Sequence, residues 1–73
     1  MNLRKLRVMR GMSLQDVANR AGLSVATVWL IENGRLSPTL RTLRTLAASF
    51  NMSLERFLKE AEADGKASVK SSD

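Results

Sequence analysis

Cysteine and histidine are both absent from this 73-residue chain. Without thiolates there is neither a disulfide framework nor a Cys-based metal site, and without imidazole a zinc finger and His-dependent catalysis are excluded. Aromatic residues make up only 4% of the chain. Aliphatic side chains must therefore fill the interior, which suits packed helices better than a sheet. Apolar residues recur at helical intervals and never form a run long enough to cross a bilayer or serve as a signal peptide. The expectation is a soluble cytoplasmic protein with no cofactor, no metal and no membrane contact. Acidic charge is scarce in residues 1–44, where only Asp16 and Glu32 stand against eight Lys and Arg side chains. That imbalance exceeds the whole net charge of +5, because residues 45–73 are slightly acidic. It marks the N-terminal part as a surface for phosphate backbones or acidic partners, although a solvated basic face has the same composition.

Hydrophobic residues make up 44% of the chain, enough for one core. At this length a single core barely stabilises a fold unless the helices pack well or a second subunit contributes. Helix punctuation divides the chain into five segments. Asn2 can cap a first helix that runs through about Arg10, with Leu3, Leu6, Arg7 and Arg10 on one face, and Gly11 ends it. Ser13 caps a second helix, in which Leu14, Val17, Ala18 and Ala21 repeat the spacing, and Gly22 closes it. Ser24 caps a third only two residues later, with Val28 and Ile31 inward and Asn33-Gly34 as its stop.

Beyond a loop through Arg35, Leu36, Ser37 and Pro38, Thr39 caps a fourth helix with Leu40, Leu43, Leu46, Ala47 and Phe50 on its apolar side. Ser53 opens a fifth, in which Leu54, Phe57, Leu58 and Ala61 follow the same period. Residues 1–62 are thus expected to form one all-α domain. Residues 63–73, with little to bury, read as a disordered tail or the start of a linker. No repeat of the solenoid kind is present.

The segment LQDVANRAGLSVATVWLIEN, residues 14–33, meets together the requirements of two helices crossing at a tight turn. Ala18 is small enough for close helix contact, Gly22 makes the turn and Leu23 plugs beneath it. Val17, Ala21, Val28 and Ile31 form the wedge that sets the crossing angle. With LRKLRVMRGMSLQDVANRAGLS, TVWLIENGRLSPTL and LRTLAASFNMSLERFL, this segment resembles the phage-repressor and Cro family of helix-turn-helix proteins over roughly residues 3–60. The resemblance implies a compact, five-helix, lambda-repressor-like domain. Helices two and three form the helix-turn-helix, and the third, about residues 24–33, is the recognition helix in the DNA major groove. It also implies a sequence-specific transcriptional regulator, most simply a repressor, that binds a palindromic operator in double-stranded DNA as a homodimer and is not an enzyme.

By position, the resemblance assigns phosphate contacts to Gln15 and the amides opening the second helix, and to Asn33 and Arg35. Arg41 and Arg44 would extend that clamp or approach the minor groove. It assigns Arg7 and Glu32 to a structural ion pair between helices one and three. With Val28 and Ile31 inward, helical geometry turns Ala26, Trp29, Leu30 and Asn33 outward, with Ser24 and Val25 flanking. This face departs from the family's usual polar pattern. Ala, Val and Leu can touch thymine methyls and Ser24 can make one hydrogen bond, but no Arg or Gln is placed for a bidentate base contact. The expected dimer surface is Phe50, Met52, Phe57 and Leu58. A second reading keeps the fold but uses the apolar Val25, Trp29 and Leu30 face to bind a protein partner, as in an antitoxin.

Overall fold

The structure is a computed structural model in which residues 1–62 are described. The tail expected over residues 63–73 lies outside the described residues. Five helices follow in order: α1 (Leu3–Met9), α2 (Leu14–Ala21), α3 (Val25–Glu32), α4 (Leu40–Ser49) and α5 (Leu54–Ala61). No strand occurs among the described residues. Each helix begins at a side chain that accepts a backbone N–H the helix itself leaves unpaired: Asn2, Ser13, Ser24, Thr39 and Ser53 in turn. At Ser13 the cap is reciprocal. Its hydroxyl accepts from the Asp16 amide at 3.0 Å, and its own amide donates to the Asp16 carboxylate at 2.8 Å.

The core draws on every helix: Leu3 and Leu6 from α1, Val17, Ala18 and Ala21 from α2, Val28 and Ile31 from α3, Leu46 and Ala47 from α4, and Phe57 from α5. Phe50, the C-cap of α4, lies flat against Phe57 with ring centroids 5.9 Å apart. Their rings join the last two helices. The Asn2 amide donates to the Ala61 carbonyl, fastening the start of α1 to the end of α5. Ser49 is buried, and its hydroxyl donates to the Leu46 carbonyl, so that polar group is satisfied.

Two expectations need correction. Leu40, placed by its spacing on the apolar side of α4, is 56% exposed. It is the first residue of α4, and burial rises along the helix through partly buried Leu43 to fully buried Leu46, so α4 enters the core with its second half. Phe50 and Phe57, expected at a dimer surface, are 4% and 0% exposed and belong to the protomer's own core. Of that set, Met52 and Leu58 remain partly buried at its edge.

One ion pair crosses the interior. The Arg7 guanidinium donates to both Glu32 carboxylate oxygens, at 2.6 and 3.2 Å, and to the Met12 carbonyl at 2.9 Å. The Glu32 side chain is only 3% exposed and that of Arg7 13%. Truncating one partner strands a buried charge, so Glu32→Ala is expected to cost on the order of 3 kcal/mol in urea unfolding. The double replacement Arg7→Met with Glu32→Leu should recover most of that loss. A single replacement costing under about 1 kcal/mol would show that the pair does not hold the fold.

Two surface carboxyls make stability depend on acid. Asp16 titrates below its ordinary value of 3.8, chiefly because it accepts the Ser13 backbone N–H and then the Ser13 hydroxyl. Glu60 titrates below 4.5, chiefly through its hydrogen bond from Arg56, with Arg10 adding to the effect across α1 and α5. A carboxyl depressed by folding stabilises the fold above its unfolded value, and the contribution is lost as the pH falls through the folded one. The urea midpoint should therefore be unaffected by these two groups above about pH 5.5 and begin to fall near pH 4.5. The Asp16→Asn, Glu60→Gln protein should show a shallower decline. An identical decline in both proteins would remove these groups as its source.

Candidate nucleic-acid interface

The site is built on the turn between α2 and α3. Gly22 adopts φ 68° and ψ 32°, a left-handed conformation that costs a residue with a Cβ but not glycine. The Leu23 amide donates to the Ala18 carbonyl at 2.9 Å, closing α2, and Ser24 opens α3 at once. Ala18, 1% exposed, lies in the core with the apolar wedge Val17, Ala21, Val28 and Ile31. The close packing of α2 on α3 follows from these residues, and it leaves one side of α3 facing out.

That outer side is apolar and uncharged. Ala26 is exposed, Trp29 is 45% exposed and Leu30 is partly buried. They follow i, i+3, i+4 and so share one face. Val25 is a correction to the expected groove-facing set, because it packs against the core. The Ser24 hydroxyl accepts from the Thr27 amide at 3.0 Å and donates to Thr27 Oγ1 at 2.8 Å, so the one hydrogen bond it still has to offer is as an acceptor. Thr27, which the sequence pattern did not single out, keeps its own hydroxyl proton. The signal was there in the S-x-x-T spacing from a cap residue to the third helical position.

Polar groups rim this face. The Asn33 backbone N–H and its side-chain Nδ2 both donate to the Trp29 carbonyl, at 3.0 and 2.9 Å, completing the last turn of α3. The Arg35 amide donates to the Leu30 carbonyl at 2.8 Å, which fixes Arg35 just beyond the C-terminal end of α3. Its side chain is exposed, as are Arg41 and Arg44 on α4, and none of the three has an ion-pair partner among the described residues. Gln15 is exposed on the first turn of α2 and donates to the Asn19 side chain at 2.8 Å. The amides opening α2 share that turn with the Asp16 carboxylate, whose charge opposes the positive end of the helix dipole. Anion attraction at this end of α2 is correspondingly weaker than at an uncharged cap.

A cleft of about 320 Å³ opens beside α3, lined by Arg4, Arg7, Leu14, Trp29, Glu32 and Asn33. Its wall includes the Arg7–Glu32 pair, and Arg4 adds a cation with no ion-pair partner among the described residues. The structure thus brings Trp29 and Asn33 together with α1. Arg4 and Leu14 complete this group, and sequence reasoning missed both as site residues. Among the described residues no group of His, Cys, Asp and Glu side chains is arranged to hold a metal ion, and no helix is long and apolar enough to cross a membrane.

The family described as helix-turn-helix matches residues 3–57 of this chain. An HTH-type transcriptional regulator of Deinococcus deserti, DdrOP3, is 38% identical over 63 residues, covering 86% of this chain and 49% of the relative. The chain thus spans about half the length of that relative.

Exposure separates the outer side of α3 from its packing side. Trp29→Ala should change the unfolding free energy by less than about 1 kcal/mol, as expected for a surface position. Val28→Ala, at a fully buried position, should cost about 2 kcal/mol. Equal losses for the two in urea unfolding would place the indole in the packing instead.

Proposed function

The chain belongs to the helix-turn-helix family of phage-repressor and Cro type, and from that premise we propose that it binds double-stranded DNA sequence-specifically and regulates transcription, with α3 in the major groove. The observation that carries this reading is the position of α3. One side is wedged on α2 by Val28 and Ile31, the opposite side is open, and exposed arginines without an ion-pair partner among the described residues stand at its end and on α4. A helix with its side chains is about 10–12 Å across, which matches the width of the major groove. Arg35, with Asn33 and Gln15, would meet phosphates on either side of that groove, and Arg41 and Arg44 would extend the contact along the backbone. Occupation of the site by this domain would exclude polymerase sterically, so repression is the simplest output of the proposed binding. The relative's printed designation as a transcriptional regulator agrees with this role.

The proposal includes a homodimer on a palindromic operator, with recognition helices about 34 Å apart. With Phe50 and Phe57 in the core, the surface for it reduces to the α4–α5 corner around Met52 and Leu58. Use of the α3 face by a protein partner has less to support it than the sequence suggested. Val25 packs inward, which leaves Trp29 and Leu30 as the large apolar groups of that patch.

Salt titration of binding to a selected duplex tests this reading. Each phosphate contact contributes about 0.9 to the slope of log affinity against log salt. Arg35→Ala should therefore flatten that slope by about one contact and weaken all duplexes alike. An unchanged slope would remove Arg35 from the contacts. Sedimentation of the same mixtures should give two chains per palindromic duplex. One chain per duplex would remove the dimer from the proposal while leaving DNA binding in place.

A further inference from the structure

We infer that the outer face of α3 reads the C5-methyl group of pyrimidines in the major groove, and therefore accepts thymine and 5-methylcytosine at the same position. The inference rests on the DNA-binding reading above and names the chemical feature of the DNA that α3 recognises.

The side chains between Ser24 and Ile31 include no Arg, Lys, Asn, Gln, Asp or Glu. None can form the paired hydrogen bonds by which guanine or adenine is distinguished. The Ser24 hydroxyl donates to Thr27 Oγ1, which leaves it an acceptor position only, and the Asn33 side-chain amide, at the C-cap of α3, has one N–H held by the Trp29 carbonyl and keeps its other N–H and Oδ1 for the backbone contact proposed above. The donors still open between Ser24 and Ile31 are the Thr27 hydroxyl proton and the Trp29 indole N–H. Each is a lone donor that cannot distinguish one purine or pyrimidine edge from another by pattern.

What α3 presents in quantity is hydrocarbon, as Ala26, Trp29 and Leu30 on one face. An apolar face has only one apolar counterpart on the base edges of the major groove, the C5-methyl group, which thymine carries and cytosine and the purines lack. The surrounding charge selects nucleic acid over an apolar protein surface. Arg35 is fixed at the end of this helix by its amide, and Arg41 and Arg44 are exposed and without ion-pair partners among the described residues. The division of labour follows. Arginines supply attraction that is independent of sequence, and the methyl contacts supply the difference between sequences.

A T·A pair and a 5-methylcytosine·G pair differ in their exocyclic oxygen and amino groups but place a methyl at the same point in the groove. A helix that reads hydrogen-bond patterns separates these pairs, whereas one that reads methyl groups does not.

The test uses duplex chemistry, so it does not depend on a variant folding. The tightest duplex from a random pool is resynthesised with deoxyuridine in place of each thymidine in turn, which removes only the methyl. Loss of a buried methyl should weaken binding roughly fourfold at one or more positions of each half-site. At such a position a C·G pair should bind more weakly than T·A, and 5-methylcytosine·G should recover roughly fourfold over C·G. In the Leu30→Ala or the Trp29→Ala protein, with folding checked by circular dichroism, the ratio between thymidine and deoxyuridine duplexes should move towards one. If deoxyuridine duplexes bind as tightly as thymidine duplexes everywhere, while the selected site still outcompetes random DNA, the inference is overturned and DNA binding stands. A ratio unchanged in both variants also overturns it, because the methyl is then read elsewhere. Absence of salt-dependent binding to any duplex overturns both readings.

Discussion

The buried pair between Arg7 and Glu32 is the contact on which the orientation of α3 depends. Most surface helices declare which side goes inward by their pattern of apolar and polar residues. The sequence VATVWLIE declares almost nothing, because hydrocarbon lies on all its sides and Glu32 is its only charge. Rolled by half a turn, α3 would bury Ala26, Trp29 and Leu30 in place of Val28 and Ile31, at little hydrophobic cost. It would also carry the Glu32 carboxylate away from a guanidinium that binds it with two hydrogen bonds. A buried pair of this kind adds little net stability, but separating its members is costly, so it specifies one arrangement against its alternatives. Here it fixes the roll of α3 and ties that helix to α1 in the same contact.

Other constraints act in the same direction. Ala18 allows a close approach that a larger side chain at the crossing would not, and Gly22 turns the chain within three residues. The Ser24 cap fixes where α3 begins, and the Arg35 amide on Leu30 fixes how it ends. The result is a helix held at both ends and along one side, with an outer surface free of packing duties. That surface carries no charge, and the cations stand beyond it. On the proposed reading, attraction to a polyanion and discrimination among sequences fall to different residues, so the two properties can be altered separately.

Much of this was legible in the sequence because it is written in local signals. Five cap residues and the glycines after α1, α2 and α3 mark the helix ends without reference to tertiary structure, and the structure follows them. The Arg7–Glu32 pair was legible only through the family resemblance, since nothing local connects residues 25 positions apart. What escaped depends on how elements meet. Periodicity put Leu40 on an apolar stripe but could not say that the stripe outruns the core at the start of α4. Phe50 and Phe57 looked like surplus apolar surface until their rings proved to stack on each other. Val25 sits at the turn, where the direction of a side chain is set by the cap and the adjoining helix more than by a rotation of 100° per residue. Arg4 and Leu14 became neighbours of Trp29 only once α1, α2 and α3 were assembled.

The central claim is that the outer face of α3, held there by the Arg7–Glu32 pair, is the surface that meets DNA. Amide chemical shifts recorded during titration with a selected duplex test it most directly, because every residue reports at once. The largest changes are expected over residues 24–35 and at the Trp29 indole N–H, with smaller ones at the start of α2 and little change at exposed Glu55 and Lys59 on α5. Changes concentrated on α5 or the outer side of α1, with residues 24–35 unmoved, would contradict it.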